Sequence, residues 1–278
     1  MRGFLLILKA ELIRSFIMMR RYWFAAMIGI MLGYGMLITL VYGLMFAAQE
    51  QWVKDMAAKA INGVLGFLVG AFAFGIVGMF TQGLQGMART GELEQVCLSP
   101  FGLITNFMAR SFVSAINSIL SSAVMIILVA YTVGQDALHK APVETILLLF
   151  LTYINLIGFG FMVGGLVLIF KQVGQVATII RFIMLGLAVF AEKVADMPAI
   201  ARWVAHALPI TDAAICIKYV LTQGQQRLIN GEMTFSPVFV HESFFFLLIS
   251  CVVWTLIGTT SFRFMENWSR DKGTLGAY

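Results

Sequence analysis

"YWFAAMIGIMLGYGMLITLVYGLMFAA", residues 22–48, holds no charged residue and no proline. A helix needs about 20 apolar residues to cross the hydrocarbon core of a bilayer, so the run is long enough to span. It also exceeds the short apolar core of a cleavable signal sequence. This stretch therefore makes the chain an integral membrane protein built of helices.

The rest of the sequence agrees. Of 278 residues, 60% are hydrophobic and 12% are charged, against about 25% charged in soluble domains. Further apolar segments fall at 61–86, 107–134, 145–170, 172–191 and 238–262. Each is long enough to cross, the fifth only just. The expectation is an all-α membrane protein with one six-helix transmembrane domain over 22–262, and no repeat or low-complexity linker is visible. Six crossings bring both ends to one side. Arg2, Lys9, Arg14, Arg20 and Arg21 at one end, with Arg263, Arg270 and Lys272 at the other, place that side in the cytoplasm by the positive-inside rule. The expected location is the cell (plasma or inner) membrane, with residues 263–278 as a cytoplasmic tail.

Residues 1–21 are apolar but punctuated by basic residues. Arg2, Lys9 and Arg20 fall nearly on one line of a helix, while Leu5, Leu8, Leu12 and Phe16 face elsewhere. Such a segment lies in the membrane interface rather than across it. On the opposite side, about 193–236, "MPAIARWVAHALPITDAAICIKYVL" (197–221) is too apolar for solvent and is broken by Pro198 and Pro209. Short helices dipping into the outer leaflet fit it, forming an outer lid. Glycine pairs four apart, Gly29/Gly33, Gly66/Gly70 and Gly160/Gly164, permit close helix packing in lipid.

Charge and motif patterns exclude several functions. The net charge of +5 is scattered along the chain and forms no patch for nucleic acid. Cys97, Cys216 and Cys251 are too far apart for a knuckle or a disulfide framework. His241-Glu242 lacks the second histidine of a zinc-protease helix, and no metal site is expected. A membrane hydrolase or transferase would need His206, His241 and a carboxylate such as Asp212 to converge; His139 is read as a lone interfacial histidine. No phosphate-binding loop of the G-x-x-x-x-G-K-[ST] type occurs, so ATP and its magnesium would have to be bound by another polypeptide. The first four spans are read as free of ionisable residues, which argues against a proton- or sodium-driven carrier. In the fifth, Gln175, Thr178 and Arg181 follow at spacings of three and are candidates for a substrate pathway.

Between the second and third spans lies "RTGELEQVCLSP", 89–100. Gly91 permits a sharp exit, Glu92 and Glu94 sit in the first turn of a short helix where negative charge is favoured, and Pro100 ends it by driving Ser99 out of helical angles. Leu93, Val96 and Cys97 form an apolar face, while Glu94, Gln95 and Leu98 turn outward.

Arg89, Gly91, Leu93, Glu94, Gln95, Leu98, Ser99 and Pro100 resemble the R-x-G-T-L-E-Q-L-L-x-S-P passage of ABC-2 type transporter permeases. "ALPITDAAICIKYVLTQG", 207–224, is similar to the family's segment before its last span. Glu92 departs from the family's threonine, and Val96 and Cys97 from its leucines. The resemblance implies the membrane subunit of an ATP-driven exporter rather than an enzyme. It implies that 89–100 is a coupling helix docking on a separate cytoplasmic ABC ATPase, and that the chain works with a second copy or a related permease. The expected substrate is lipophilic or amphipathic, a drug, lipid or peptide-like molecule. A glycan or lipid-linked polymer exporter is the alternative, in which Tyr34, Tyr42, Tyr131 and Tyr153 would line the route.

Overall fold

The computed structural model describes residues 2–46, 53–133, 142–170, 174–230 and 238–272. His139, residues 231–236 of the outer region and 273–278 of the tail lie outside them. Every regular element among the described residues is a helix: α1 (Arg2–Arg21), α2 (Trp23–Phe46), α3 (Val53–Thr90), α4 (Glu92–Leu98), α5 (Gly102–Val133), α6 (Pro142–Ile169), α7 (Gly174–Val189), α8 (Ala199–Ala207), α9 (Thr211–Asn230) and α10 (Glu242–Asp271). Short 3-10 turns, Ala191–Asp196 and Val238–Val240, precede α8 and α10.

The bundle is built around α3 and α6, whose apolar stretches are 67% and 61% buried, against 17% for α5 and 28% for α10. On α3 the inward residues Val69, Ala73, Ile76, Val77, Phe80 and Leu84 follow helical spacing. Phe80 meets Phe161 of α6 edge-on at 4.8 Å, and Phe161 meets Phe262 of α10 at 5.2 Å. This aromatic column joins three helices, each contact adding about 0.5–1.5 kcal/mol beyond its buried area. α6 and α10 cross closest at Gly158 and Gly258, where a Cβ on Gly258 would collide with the Gly158 carbonyl oxygen. The glycine pairs also pack helices: Gly66 and Gly70 abut α7 and Gly160 and Gly164 abut α3, whereas Gly29 faces open space.

The chain is a multi-pass membrane protein. Four helices are long and apolar enough to cross, or up to six when each of two bent pairs counts as one span. The first bent pair is α1 and α2, which meet at 76°. Phe4, Ile7, Leu8, Glu11 and Ser15 form the inward face of α1, and Leu5, Leu6, Phe16 and Ile17 are left exposed. The second is α8 and α9, at 86°. Pro198 precedes α8 and the buried Pro209 lies in the bend. α8 exposes Ile200, Trp203 and Val204, while α9 buries Ala213, Ala214, Ile217 and Val220 in the bundle.

Three boundaries differ from those read off hydropathy. α3 is 38 residues long, about 57 Å at 1.5 Å per residue, rather than a span over 61–86. α5 begins at Gly102 rather than 107. Hydropathy marks the apolar run alone, and both helices continue past it, α3 through Arg89 and α5 through Thr105 and Asn106. α7 is shorter than expected, 16 residues or about 24 Å, which falls short of the ~30 Å hydrocarbon core.

Candidate functional site: the short helix between α3 and α5

α3 ends at Thr90, and Gly91 adopts the left-handed conformation (φ 74°) that redirects the chain into α4. A side chain at this position would be strained. Ser99 is extended (φ −66°, ψ 147°), as a residue before proline should be, and its hydroxyl donates to the Val96 carbonyl at 2.7 Å. Asn106 Nδ2 then donates to Ser99 Oγ at 3.2 Å and to the Gly102 carbonyl at 2.8 Å, locking the exit of α4 to the first turn of α5.

α4 has two unlike faces. Leu93 is fully buried and Val96 and Cys97 are partly buried against the core. Arg89, Glu94, Gln95, Leu98 and Pro100 are exposed, Leu98 to 86%. Leu98 thus stands as an apolar side chain among exposed charged and amide groups.

Glu92 belongs to neither face. Its carboxylate lies 3.2 Å from Arg110 Nη2 of α5, and Arg110 Nε lies 3.4 Å from Glu11 of α1. Arg110 Nη1 also reaches Met87 Sδ at 3.2 Å, and Glu11 has a second partner in Arg14 at 3.6 Å. One guanidinium thus ties together α1, α4 and α5 beside the end of α3. The reading of the third span as free of charge overlooked Arg110. Its position, eight residues into an otherwise uncharged helix, was the available signal. Glu11, which faces inward while Lys9, Arg14, Arg20 and Arg21 face out, was missed as well.

At the other edge of α4, Cys97 neighbours Arg270 of α10, which is in turn paired with Glu266. Burial pushes the Cys97 thiol up from its ordinary pKa, and the Arg270 guanidinium offsets part of that rise.

The α7 residues do not come together on one surface. Gln175 is exposed, the Thr178 hydroxyl donates to the Gly174 carbonyl at 2.8 Å, and Arg181 is buried to 6% exposure. Arg181 Nε donates to the Phe74 carbonyl at 2.9 Å, and its guanidinium lies over the Phe74 ring at 3.6 Å. It fills the space beside Gly78, where an added Cβ would meet the guanidinium. Of the tyrosines, Tyr153 is buried and donates to Ser111 Oγ at 3.4 Å, Tyr131 is exposed, and the side chain of Tyr42 lies outside the described residues. His206 and Asp212 do pair, Nδ1 to Oδ1 at 2.8 Å, joining α8 to α9. His241 Nδ1 instead accepts the Ser243 N–H at 3.2 Å and caps α10. Among the described residues no three His, Cys, Asp or Glu side chains cluster as metal ligands.

A family model described as ABC-2 type transporter matches residues 7–221, from α1 into α9. The chain belongs to the ABC-2 type transporter family. It is the membrane component of an ABC transporter, a permease of a kind that typically pairs with an ABC ATPase and is generally not itself catalytic. No curated protein and no solved structure matches it significantly. The matched range contains α4, Arg110 and Glu11 and leaves out α10.

Proposed function

We propose that the permease is the transmembrane subunit of an ATP-driven exporter in the cell membrane, with both termini in the cytoplasm and α4 docking on a separate ATPase that binds ATP and magnesium. The observation that carries this reading is the exposed Glu94, Gln95 and Leu98 on a helix fixed at both ends, by Gly91 and by the Ser99–Asn106 contact, and on its flank by Arg110. A surface that must receive force from a partner needs such fixing, because a mobile loop would dissipate it. A second permease copy, or a relative, completes the assembly. The substrate crosses between the two halves, and α8 with the following bend at Pro209 serves as the outer lid. On α7, Gln175 is the residue of the three that remains available to such a pathway, while Arg181 pins α7 to α3.

We favour a lipophilic or amphipathic substrate over a glycan: of the tyrosines that a glycan route would use, Tyr153 is sealed inside the bundle, although Tyr131 is exposed. The test is purification of the tagged chain from its host in mild detergent. A stoichiometric ATPase that is lost in Leu98→Asp, with the variant still monodisperse, supports the reading. Recovery of the wild-type chain alone from several detergents overturns it.

A further inference from the structure

α8 is attached to the bundle mainly at one end. Of its nine residues Ala205 is the buried one, and Ile200, Trp203 and Val204 are exposed. The bend that follows is fixed: Asn155 Nδ2 of α6 donates to the Pro209 carbonyl at 2.9 Å and lies 3.1 Å from Ser250 Oγ of α10. Beyond that pivot, three directed contacts among the described residues hold α8. Trp254 Nε1 of α10 donates to the Ala207 carbonyl at 3.0 Å, the His206 ring stacks on Phe246 with centroids 5.3 Å apart, and His206 Nδ1 donates to Asp212 Oδ1 at 2.8 Å. His206 carries two of the three.

Asp212 is 2% exposed, and its Oδ2, like the neighbouring Thr211 hydroxyl, has no hydrogen-bond partner among the described residues. A buried carboxylate with one donor is tolerable when that donor is a cation, because the pair is then neutral and its bond is about twice as strong as a neutral one. The 2.8 Å separation falls in the range of about 2.7–2.9 Å typical of such a bond. Imidazole changes its charge between about pH 5 and 8. Loss of its second proton leaves an uncompensated anion beneath α8, and water must enter to solvate it.

The other titratable groups around the bend supply no substitute cation. The second imidazole acting on Asp212 is His241 of α10, whose Nδ1 is taken up by the Ser243 N–H. On α9 the buried Cys216 thiol faces Asp212, and Lys218 is bonded to the Val189 carbonyl. Arg202 of α8, Glu192, Lys193 and Asp196 of the preceding turn, and Glu242 of α10 are exposed. α6 meets the bend through the uncharged Asn155.

We infer that His206 and Asp212 form a pH-sensitive latch on α8: the charged pair holds the helix down, and loss of the imidazole proton to the outer medium frees it to swing about Pro209. The hold is present on the acid side of the imidazole titration and is lost as pH rises through it. This rests on the outer-lid reading above and adds a control to it.

The test uses the full chain in nanodiscs, with Cys97→Ser and a nitroxide attached at Ile200→Cys, a position 82% exposed. The mobile component of its electron paramagnetic resonance line shape is expected to be several-fold larger at about pH 8.5 than at about pH 6. That rise should vanish in Asp212→Asn, which keeps the shape and removes the charge, and in His206→Gln, which removes the titration. It should persist in His241→Asn, which keeps a cap on α10. A line shape that is the same at both pH values, a rise retained in Asp212→Asn and His206→Gln, or a rise lost in His241→Asn overturns the latch. The lid itself is read separately, by adding ATP and magnesium to the assembly with its ATPase. A pH response without an ATP response sinks the lid reading alone, and an ATP response with a flat pH profile sinks the latch alone.

Discussion

Glu92 and Arg110, on different helices and 18 residues apart, hold their side chains 3.2 Å from each other, and the same arginine reaches Glu11 of the first helix at 3.4 Å. Exposed ion pairs contribute only about 0–1 kcal/mol, so the pairing matters for position more than for stability. Arg110→Ala should leave the melting temperature within a few degrees of wild type. It should lower substrate-stimulated ATP hydrolysis of the assembled transporter several-fold. The swap Glu92→Arg/Arg110→Glu should recover more activity than either single change, as a double-mutant cycle would register.

Leu98 makes no inward contact that its loss would break, since it is 86% exposed. Leu98→Asp should therefore change folding stability by less than about 0.5 kcal/mol while abolishing ATPase association in a pull-down. Glu92→Lys, by contrast, disturbs the internal network and should weaken association less than Leu98→Asp does.

Arg181 separates a structural role from a transport role. Removing it forfeits a charged hydrogen bond to Phe74 and a cation–ring contact, a loss on the order of 1.5–3 kcal/mol. Arg181→Met should lower thermal stability in detergent clearly, and Arg181→Lys less so. If substrate preference changed in Arg181→Met at unaltered stability, the pinning role would be refuted.

The crossing of α6 and α10 tolerates no side chain at Gly258, because a Cβ would enter the Gly158 carbonyl oxygen. Gly258→Ala should cost about 1–3 kcal/mol by overpacking and lower the yield of monodisperse protein. Gly29→Ala, which meets no atom within 4 Å, should be neutral by the same measurement.

Cys97 is the partly exposed cysteine, whereas Cys216 and Cys251 are buried. Its thiol titrates above the ordinary value of 9.0, chiefly through burial, so the reactive thiolate is scarce at neutral pH. Maleimide labelling of Cys97 should climb with pH and show no plateau by pH 9, and bound ATPase should slow it further.

The sequence reading located the α4 motif and the packing glycines because each depends on local rules: a left-handed glycine, an X-Pro boundary, a four-residue repeat. Gly91 and Ser99 adopt the conformations their identities demand. Arg110 was invisible to such rules. Its partners lie 18 and 99 residues away, and only folding brings Glu92 and Glu11 to it. Helix lengths failed for a different reason. Hydropathy marks apolar runs, and neither end of α3 nor the start of α5 coincides with the end of such a run. The inward turn of Arg181 was ambiguous because a spacing of three drifts around a helix, so that Gln175 and Arg181 share a stripe on paper and not in space.

The 38-residue α3 holds no proline anywhere along its length. Between Thr90, where α4 begins to turn away, and the Gly70 contact with α7, the backbone is one uninterrupted hydrogen-bonded rod about 30 Å long at 1.5 Å per residue. Kinks in helices occur at prolines, bulges or inserted water, and the sequence supplies no proline hinge here. α3 is in effect a strut: a displacement applied at α4 meets no proline joint before the seat of α7.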